Sequence, residues 1–455
     1  MTRNRTFAVV ALLMAAPAHL HAQQQQAQPQ GEPLSLQQAL ATAEENNPAY
    51  RRAVTEVGTA EADVRRARGA YLPDLNFAIG TTGGFNRKLT GQTQFGEVIR
   101  RDTVLEYSGS SASQRLSMTG FRLYDGGERR SNLQAARAGE QVVAARVEGE
   151  EVRMRADVAR RYWEAVRADR TIRLEEELMA AARDRLEVTR ALVRVGVRGP
   201  LDVLGAEVAV AEQEQALERA RGEARTRQLD LRQAMGVIEP GWLRLTDEPP
   251  ALFDPSALDT EALVEAALVA HPRIQRVDLA VRQADARMGA ARSARMPRLS
   301  MGATVARDQG YEGYKGLTGL NPLDQRVGVD FTLQVPLFTG HRTSYQIQSA
   351  RAARDAAAED ARGERLALER EMRGALIDLD NAYRAAQNAE RTLGLNRQRL
   401  QLAQDQYRVG SLTLNDLTDA AERAARAERD VLRTRFEFAT ALATLDERAG
   451  HPVRP

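Results

Sequence analysis

Between Arg326 and Tyr407 the hydrophobic period of the chain changes from two to seven within one uninterrupted stretch. Val327, Val329, Phe331, Leu333, Val335 and Leu337 alternate with Arg326, Gly328, Asp330, Thr332 and Gln334. A turn at Leu337-Phe338-Thr339-Gly340 follows, and then no proline occurs before Gly410. Within that run Met372, Leu379, Ala386, Leu393, Leu400 and Tyr407 step by seven. The alternation predicts a strand of bilayer length, and the heptads predict a helix with a coiled-coil seam. The stretch occurs twice. Leu123-Tyr124-Asp125-Gly126 matches the turn at a shift of 214 residues, and the same shift maps the seam onto Val158, Ala165, Ile172, Met179, Leu186 and Val193.

The rest of the chain repeats with it. Ser35 opens a helix with Leu36, Ala43, Tyr50, Val57, Val64 and Tyr71 at steps of seven. Pro48 divides it into a short and a longer piece, and Pro73 ends it. Strands are predicted near 74–85 and 110–124, joined by a Gly- and Thr-rich loop at 86–108. The second strand changes phase between Met118 and Phe121, which a bulge at Gly120 reconciles. A long helix from Gly127 to Val195 follows, on the order of 100 Å at the usual helical rise. Gly199-Pro200 starts a return helix with Val203, Val210, Leu217, Ala224 and Leu231 on its seam. In the second copy His271-Pro272 answers Asn47-Pro48. Strands are predicted near 297–306 and 326–338 around a loop at 307–325. A long helix runs to Val409, and a return helix carries Leu417, Ala424, Val431, Phe438 and Leu445. The expected organisation is a signal peptide at 1–22, cut after Ala18 or Ala22, and a disordered leader at 23–34. Repeat 1 covers 35–240, a linker 241–260, repeat 2 261–450, and a tail 451–455.

Composition excludes several classes. Removal of Arg3 and Arg5 with the signal leaves basic and acidic residues in balance, out of 64 and 62 in the full chain, so nothing favours nucleic acid. Cysteine is absent, which excludes a disulfide framework and a lipidated N-terminal cysteine. His271, His341 and His451 are scattered without ligand spacing, so no metal or other cofactor is expected. No nucleophile elbow or phosphate loop is present, and no enzyme is expected.

Long heptad helices alone fit a periplasmic coiled-coil scaffold or adaptor without a pore. A scaffold has no use for four alternating strands flanked by proline. Only helices and closed barrels span a bilayer, and four strands are too few to close one. The chain is therefore expected to pool strands with copies of itself: mainly α, with a small membrane β-barrel portion continuous with a long α-helical barrel.

The twofold repeat, Tyr71-Leu72-Pro73-Asp74-Leu75, Leu123-Tyr124-Asp125-Gly126-Gly127, Tyr407-Arg408-Val409-Gly410-Ser411 and Leu414-Asn415-Asp416-Leu417 resemble the TolC family of outer-membrane efflux proteins over about residues 35–450. The resemblance implies a homotrimer embedded in outer-membrane lipid, with its helices in the periplasm. It implies docking onto a periplasmic adaptor and an inner-membrane pump, for efflux or type I secretion. It also implies that the tips Val195-Gly196 and Val409-Gly410-Ser411 meet the adaptor, and that Asp416 and Asp419 line a constricted aperture. From the residues alone the tip glycines read as helix C-caps, and Asp416 as part of a capping box with Thr413. Asp419, whose counterpart is Gly205, has no capping duty, and its carboxylate is expected to stand free.

Overall fold

A computed structural model describes residues 33–94, 97–238, 241–311 and 324–454. The expected signal peptide and residues 23–32 of the expected leader lie outside the described residues. In chain order the elements are β1 (Pro33–Leu34), α1 (Leu36–Asn46), α2 (Pro48–Gly69), β2 (Leu75–Gln94), β3 (Glu97–Tyr124), α3 (Glu128–Arg194) and α4 (Pro200–Met235). Then follow β4 (Arg244–Leu245), α5 (Thr260–Ala270), α6 (Pro272–Ser293), β5 (Arg298–Tyr311), β6 (Asp324–Gln334), α7 (Arg342–Arg408) and α8 (Leu414–Ala449). The long helices α3 and α7 each have 67 residues and the return helices α4 and α8 each have 36, so the duplication holds element by element.

Local chemistry explains the breaks. Asn47 ends α1 and caps α2, its Oδ1 accepting from the amides of Ala49 and Tyr50. The strand-to-helix turns use Gly126 (φ 65°) and Gly340 (φ 58°) in the left-handed region, which glycine enters without a Cβ clash. Both long helices are free of proline and rich in Ala, Arg, Glu and Leu, all strong helix formers.

The four long strands form one antiparallel sheet in the order β2-β3-β5-β6. Phe77 pairs with Leu116, Leu116 with Val305 and Val305 with Val327, so one apolar row crosses all four strands. A one-residue register shift between Met118 and Phe121 keeps Phe121 on the same face, opposite Met301. Gly120 (φ 63°) lies within that bulge. The edge residues Leu75, Phe77, Ile79, Val327, Val329, Phe331 and Leu333 are all more than half exposed.

The strands depart from expectation in length. Residues 86–94 and 97–108, expected as loop, are strand: β2 has 20 residues and β3 has 28. The ladder continues through register shifts at Gly84/Phe85 and Gln92/Thr93. Backbone pairing continues where apolar alternation stops, because the ladder needs donors and acceptors rather than a buried face. β6 stops at Gln334 instead of 338, since Pro336 has no amide to pair. The end of the expected leader and the linker are also ordered: β1 pairs in parallel with β4. Tyr162 ties them, its hydroxyl donating to the Leu34 carbonyl (3.0 Å) and accepting from the Asp247 amide (3.3 Å). Burial pushes that phenol up to about 12. Within the expected tail Val453 is buried, and its amide donates to Asp446 Oδ1 (2.6 Å).

In the half nearer the sheet, α3 packs on α2 and α6, and α6 on α7. In the far half, α3 packs on α4 and α8, and α8 on α7. The far wall therefore runs α4-α3-α8-α7. Two apolar cores lie where short and long helices converge, one around Val158, Tyr162, Leu231 and Phe436, the other around Ile274, Met372, Leu379 and Phe438.

Candidate functional site: helical tips and membrane sheet

The two tips are built alike. Gly196 (φ 78°) and Gly410 (φ 84°) reverse the chain in the left-handed conformation. At the first tip the amides of Gly196 and Val197 donate to the carbonyls of Val193 (3.1 Å) and Leu192 (3.0 Å). At the second, Gly410 and Ser411 donate to Tyr407 (3.1 Å) and Gln406 (3.0 Å). These bonds satisfy carbonyls that a helix end leaves open. Val195 and Val409 are each more than two-thirds exposed at the ends of the molecule.

One contact at the tips has no counterpart in the other repeat. The Arg198 guanidinium donates to the carbonyls of Tyr407 (3.0 Å) and Leu412, and sits 4.2 Å from the centre of the Tyr407 ring. At the repeat shift Arg198 corresponds to Leu412 itself. The first tip is thereby tied to the second by one charged side chain.

The acidic pair beside the second tip divides. Thr413 Oγ1 caps α8 by accepting from the Asp416 amide (3.3 Å) and donates to Asp416 Oδ2 (2.6 Å). Thr413 therefore satisfies the Asp416 carboxylate by its hydroxyl, where a capping box would use the backbone amide. Asp416 is exposed, and among the described residues no cation pairs with it. Asp202 holds the matching place after Gly199, which has no side chain to cap with. The expectation of a free Asp419 carboxylate is overturned. Arg423 Nε lies 3.0 and 2.9 Å from its two oxygens, and Arg399 Nη2 lies 3.2 Å from Oδ2. Arg423 is one helical turn along α8, and Arg399 reaches across from α7.

Farther from the tips, Glu175 of α3 is buried, only 3 % exposed. Arg429 of α8 meets it with two bonds of 2.6 and 2.8 Å, and Gln213 of α4 donates to it as well. Burial works against the Glu175 charge, but the Arg429 pair outweighs it and holds the carboxyl below its usual range. Removing one partner of a buried pair costs about 3–5 kcal/mol; the 36 % exposure of Arg429 lowers that here.

Among the described residues no helix is long and apolar enough to cross a membrane. A model of the outer membrane efflux protein family matches residues 36–237 and 263–451, both halves of the duplication. The chain belongs to the outer membrane efflux protein family. Protein CyaE of Bordetella pertussis is 26 % identical over 323 residues, 70 % of this chain and 63 % of its own length. Outer membrane protein TolC of Vibrio cholerae is 23 % identical over 410 residues, 90 % of this chain and 89 % of its own. The fold matches that of CusC with a TM-score of 0.77 at 17 % identity, covering 91 % of this chain and 92 % of that one. It matches the open state of the Neisseria gonorrhoeae MtrE outer membrane channel with a TM-score of 0.70 at 20 % identity, covering 92 % and 89 %. The protein is thus a TolC-type outer-membrane factor. It is an outer-membrane protein with a periplasmic helical portion, and the scaffold without a pore is not favoured.

Within this family frame, Arg198 and the Glu175–Gln213–Arg429 cluster are residues that sequence reading missed. The repeat itself carries the signal. Glu175 answers Ala389, Arg429 answers Gln215, and Arg198 answers Leu412. A charge on one copy of a seam and an apolar or neutral residue on the other marks a contact made once rather than twice.

Proposed function

We propose that this chain is one third of a continuous export duct: a homotrimer whose twelve strands close a barrel and whose helices form a tunnel across the periplasm. The observation that carries this reading is the four-stranded sheet, apolar on one face, in which β2 and β6 each have one side without a partner strand among the described residues. Open edges do not persist in hydrocarbon, so the sheet requires neighbours, and three copies supply twelve strands. The exposed tips Val195-Gly196 and Val409-Gly410-Ser411 dock a periplasmic adaptor, which joins the duct to an inner-membrane pump for small molecules or polypeptides. Asp416 and Asp419 line the entrance at the tips. Asp416 supplies the charge there that no arginine offsets. Purified protein in a planar lipid bilayer tests the duct. The reading expects discrete conductance steps of one size class, and an electrically silent bilayer containing inserted protein would remove it.

A further inference from the structure

The first helical hairpin carries an arginine whose repeat partner is missing. In the second hairpin Arg399 of α7 and Arg423 of α8 hold the Asp419 carboxylate between them. Moved back by the repeat shift, Arg399 becomes Arg185 of α3, while Asp419 and Arg423 become Gly205 and Ala209 of α4. The cation on the long helix is kept and the acid is gone. Gly205 has a reason of its own. A Cβ there would stand 3.0 Å from Leu414 Cδ2, so the glycine lets the start of α8 approach α4. No such contact accounts for Arg185. It is half-buried, and among the described residues its guanidinium has neither an ion pair nor a hydrogen bond. Burial works against its charge, and only Asp184, beside it on the same helix, works the other way.

Arg185 opens on a cavity of about 790 Å³ where α3, α4, α7 and α8 meet. Leu178 and Ala182 of α3, Ala209 of α4, Leu400 and Gln404 of α7 and Ala421 of α8 line it with Arg185. The other arginines at its walls are engaged. Arg429 pairs with Glu175 and Arg426 with Glu422, and Arg219 donates to the Gln215 carbonyl. Among the wall acids, Glu428 faces Arg397 and Glu223 faces Arg167. Glu177 and Glu212 also line the cavity, but both are exposed to water. Their charges disfavour a ligand carrying several negative groups. What remains is a space with aliphatic walls and one unanswered cation.

From this we propose that the cavity binds a small organic monocarboxylate, whose carboxylate takes at Arg185 the place that Asp419 takes at Arg399. The missing side chain names the chemistry, since a carboxylate is what the second repeat supplies to the same arginine. A guanidinium fork matches a carboxylate through two parallel charge-assisted hydrogen bonds. An apolar body on that carboxylate would lie against Leu178, Ala182 and Leu400. The site is formed within one chain and does not depend on how copies associate.

Benzoate and its neutral analogue benzamide test the site, by ligand-observed saturation-transfer NMR on the protein extracted in mild detergent. Benzoate should bind, and benzamide should bind about tenfold more weakly or worse, the loss expected for one charge-assisted contact. Arg185→Gln should bring benzoate down to the benzamide level with native mass unchanged. Gly205→Asp restores the carboxylate of the second repeat and should also exclude benzoate. Gly205→Ala crowds Leu414 without adding charge and should keep benzoate bound. If Arg185→Gln alters the native mass, the two Gly205 variants decide. Equal binding of the two probes, or benzoate binding that survives Arg185→Gln or Gly205→Asp, overturns the proposal. So does a wild-type protein that takes up neither probe, because Arg185 is then answered by a group from another protein or another copy.

Discussion

At the scale of single residues, His271 carries a pH dependence. It is buried at the α5–α6 junction; its Nδ1 accepts from the Arg273 amide (3.1 Å) and its Nε2 faces the Glu447 carbonyl (3.1 Å). Asn47 does the same work in the first repeat, capping α2 and donating to the Ala234 carbonyl. Burial holds the imidazole below its usual value, against the pull of the Glu447 carbonyl, and Arg273 and Arg448 add to the lowering. The unfolded chain therefore takes up a proton near pH 6.5 that the folded chain resists. The stabilising contribution is whole above that pH and is lost as pH falls below it toward the lowered value. His271→Asn should flatten this loss while changing stability at neutral pH by about 1 kcal/mol or less. Thermal unfolding of the detergent-solubilised protein between about pH 5 and 7.5 checks it; equal slopes for both proteins would refute the assignment. The acidic pair gives a second prediction. Clustered carboxylates attract divalent cations, and only Asp416 lacks an arginine partner. Block of single channels by divalent cations from the tip side should weaken in Asp416→Asn and persist in Asp419→Asn. The reverse order would return the aperture charge to Asp419. Half of this was visible in the sequence: Arg423 lies four residues after Asp419 on the same helix face, whereas Arg399 arrives only through the α7–α8 packing.

At the scale of elements, period and punctuation predicted most of the structure. The heptad rows mark the inner faces, with Met372, Leu379 and Tyr407 almost wholly buried, and the Asn47-Pro48 break separates two helices as expected. Gly120 marks the bulge. Strand length was not legible, because backbone pairing carries β2 and β3 on through Gly- and Thr-rich sequence where apolar alternation stops. The burial of Glu175 was hidden for a different reason: heptads define the face a helix turns to its hairpin partner, and Glu175 also faces α8, which the pattern does not name. The tips carry the prediction for this scale. Gly196 and Gly410 sit at positive φ with open space around them, only the Val197 methyl lying near Gly410. A side chain there costs about 1–2 kcal/mol of backbone strain without a clash. Gly196→Asp or Gly410→Asp should therefore leave the oligomer largely intact while placing a charge on the surface proposed to dock the adaptor. Export in cells should fall to the level of a deletion with oligomer yield retained. Loss of the oligomer in parallel would reduce both glycines to folding roles.

At the scale of the whole molecule, a duplicated strand–helix unit leaves its sheet and its helical wall open on the same two sides. Family membership and the matching fold of known outer-membrane channels agree with a chain that is incomplete alone. The duplication was legible in the spacing of a few motifs. The lateral order α4-α3-α8-α7 was not, because it depends on how one repeat packs on the other. The central claim, that the chain acts only as part of a closed ring, is tested most directly by the native mass of the complex extracted from the outer-membrane fraction in mild detergent. The account predicts a single species three times the mass of the mature chain. A folded, stable monomer would contradict it.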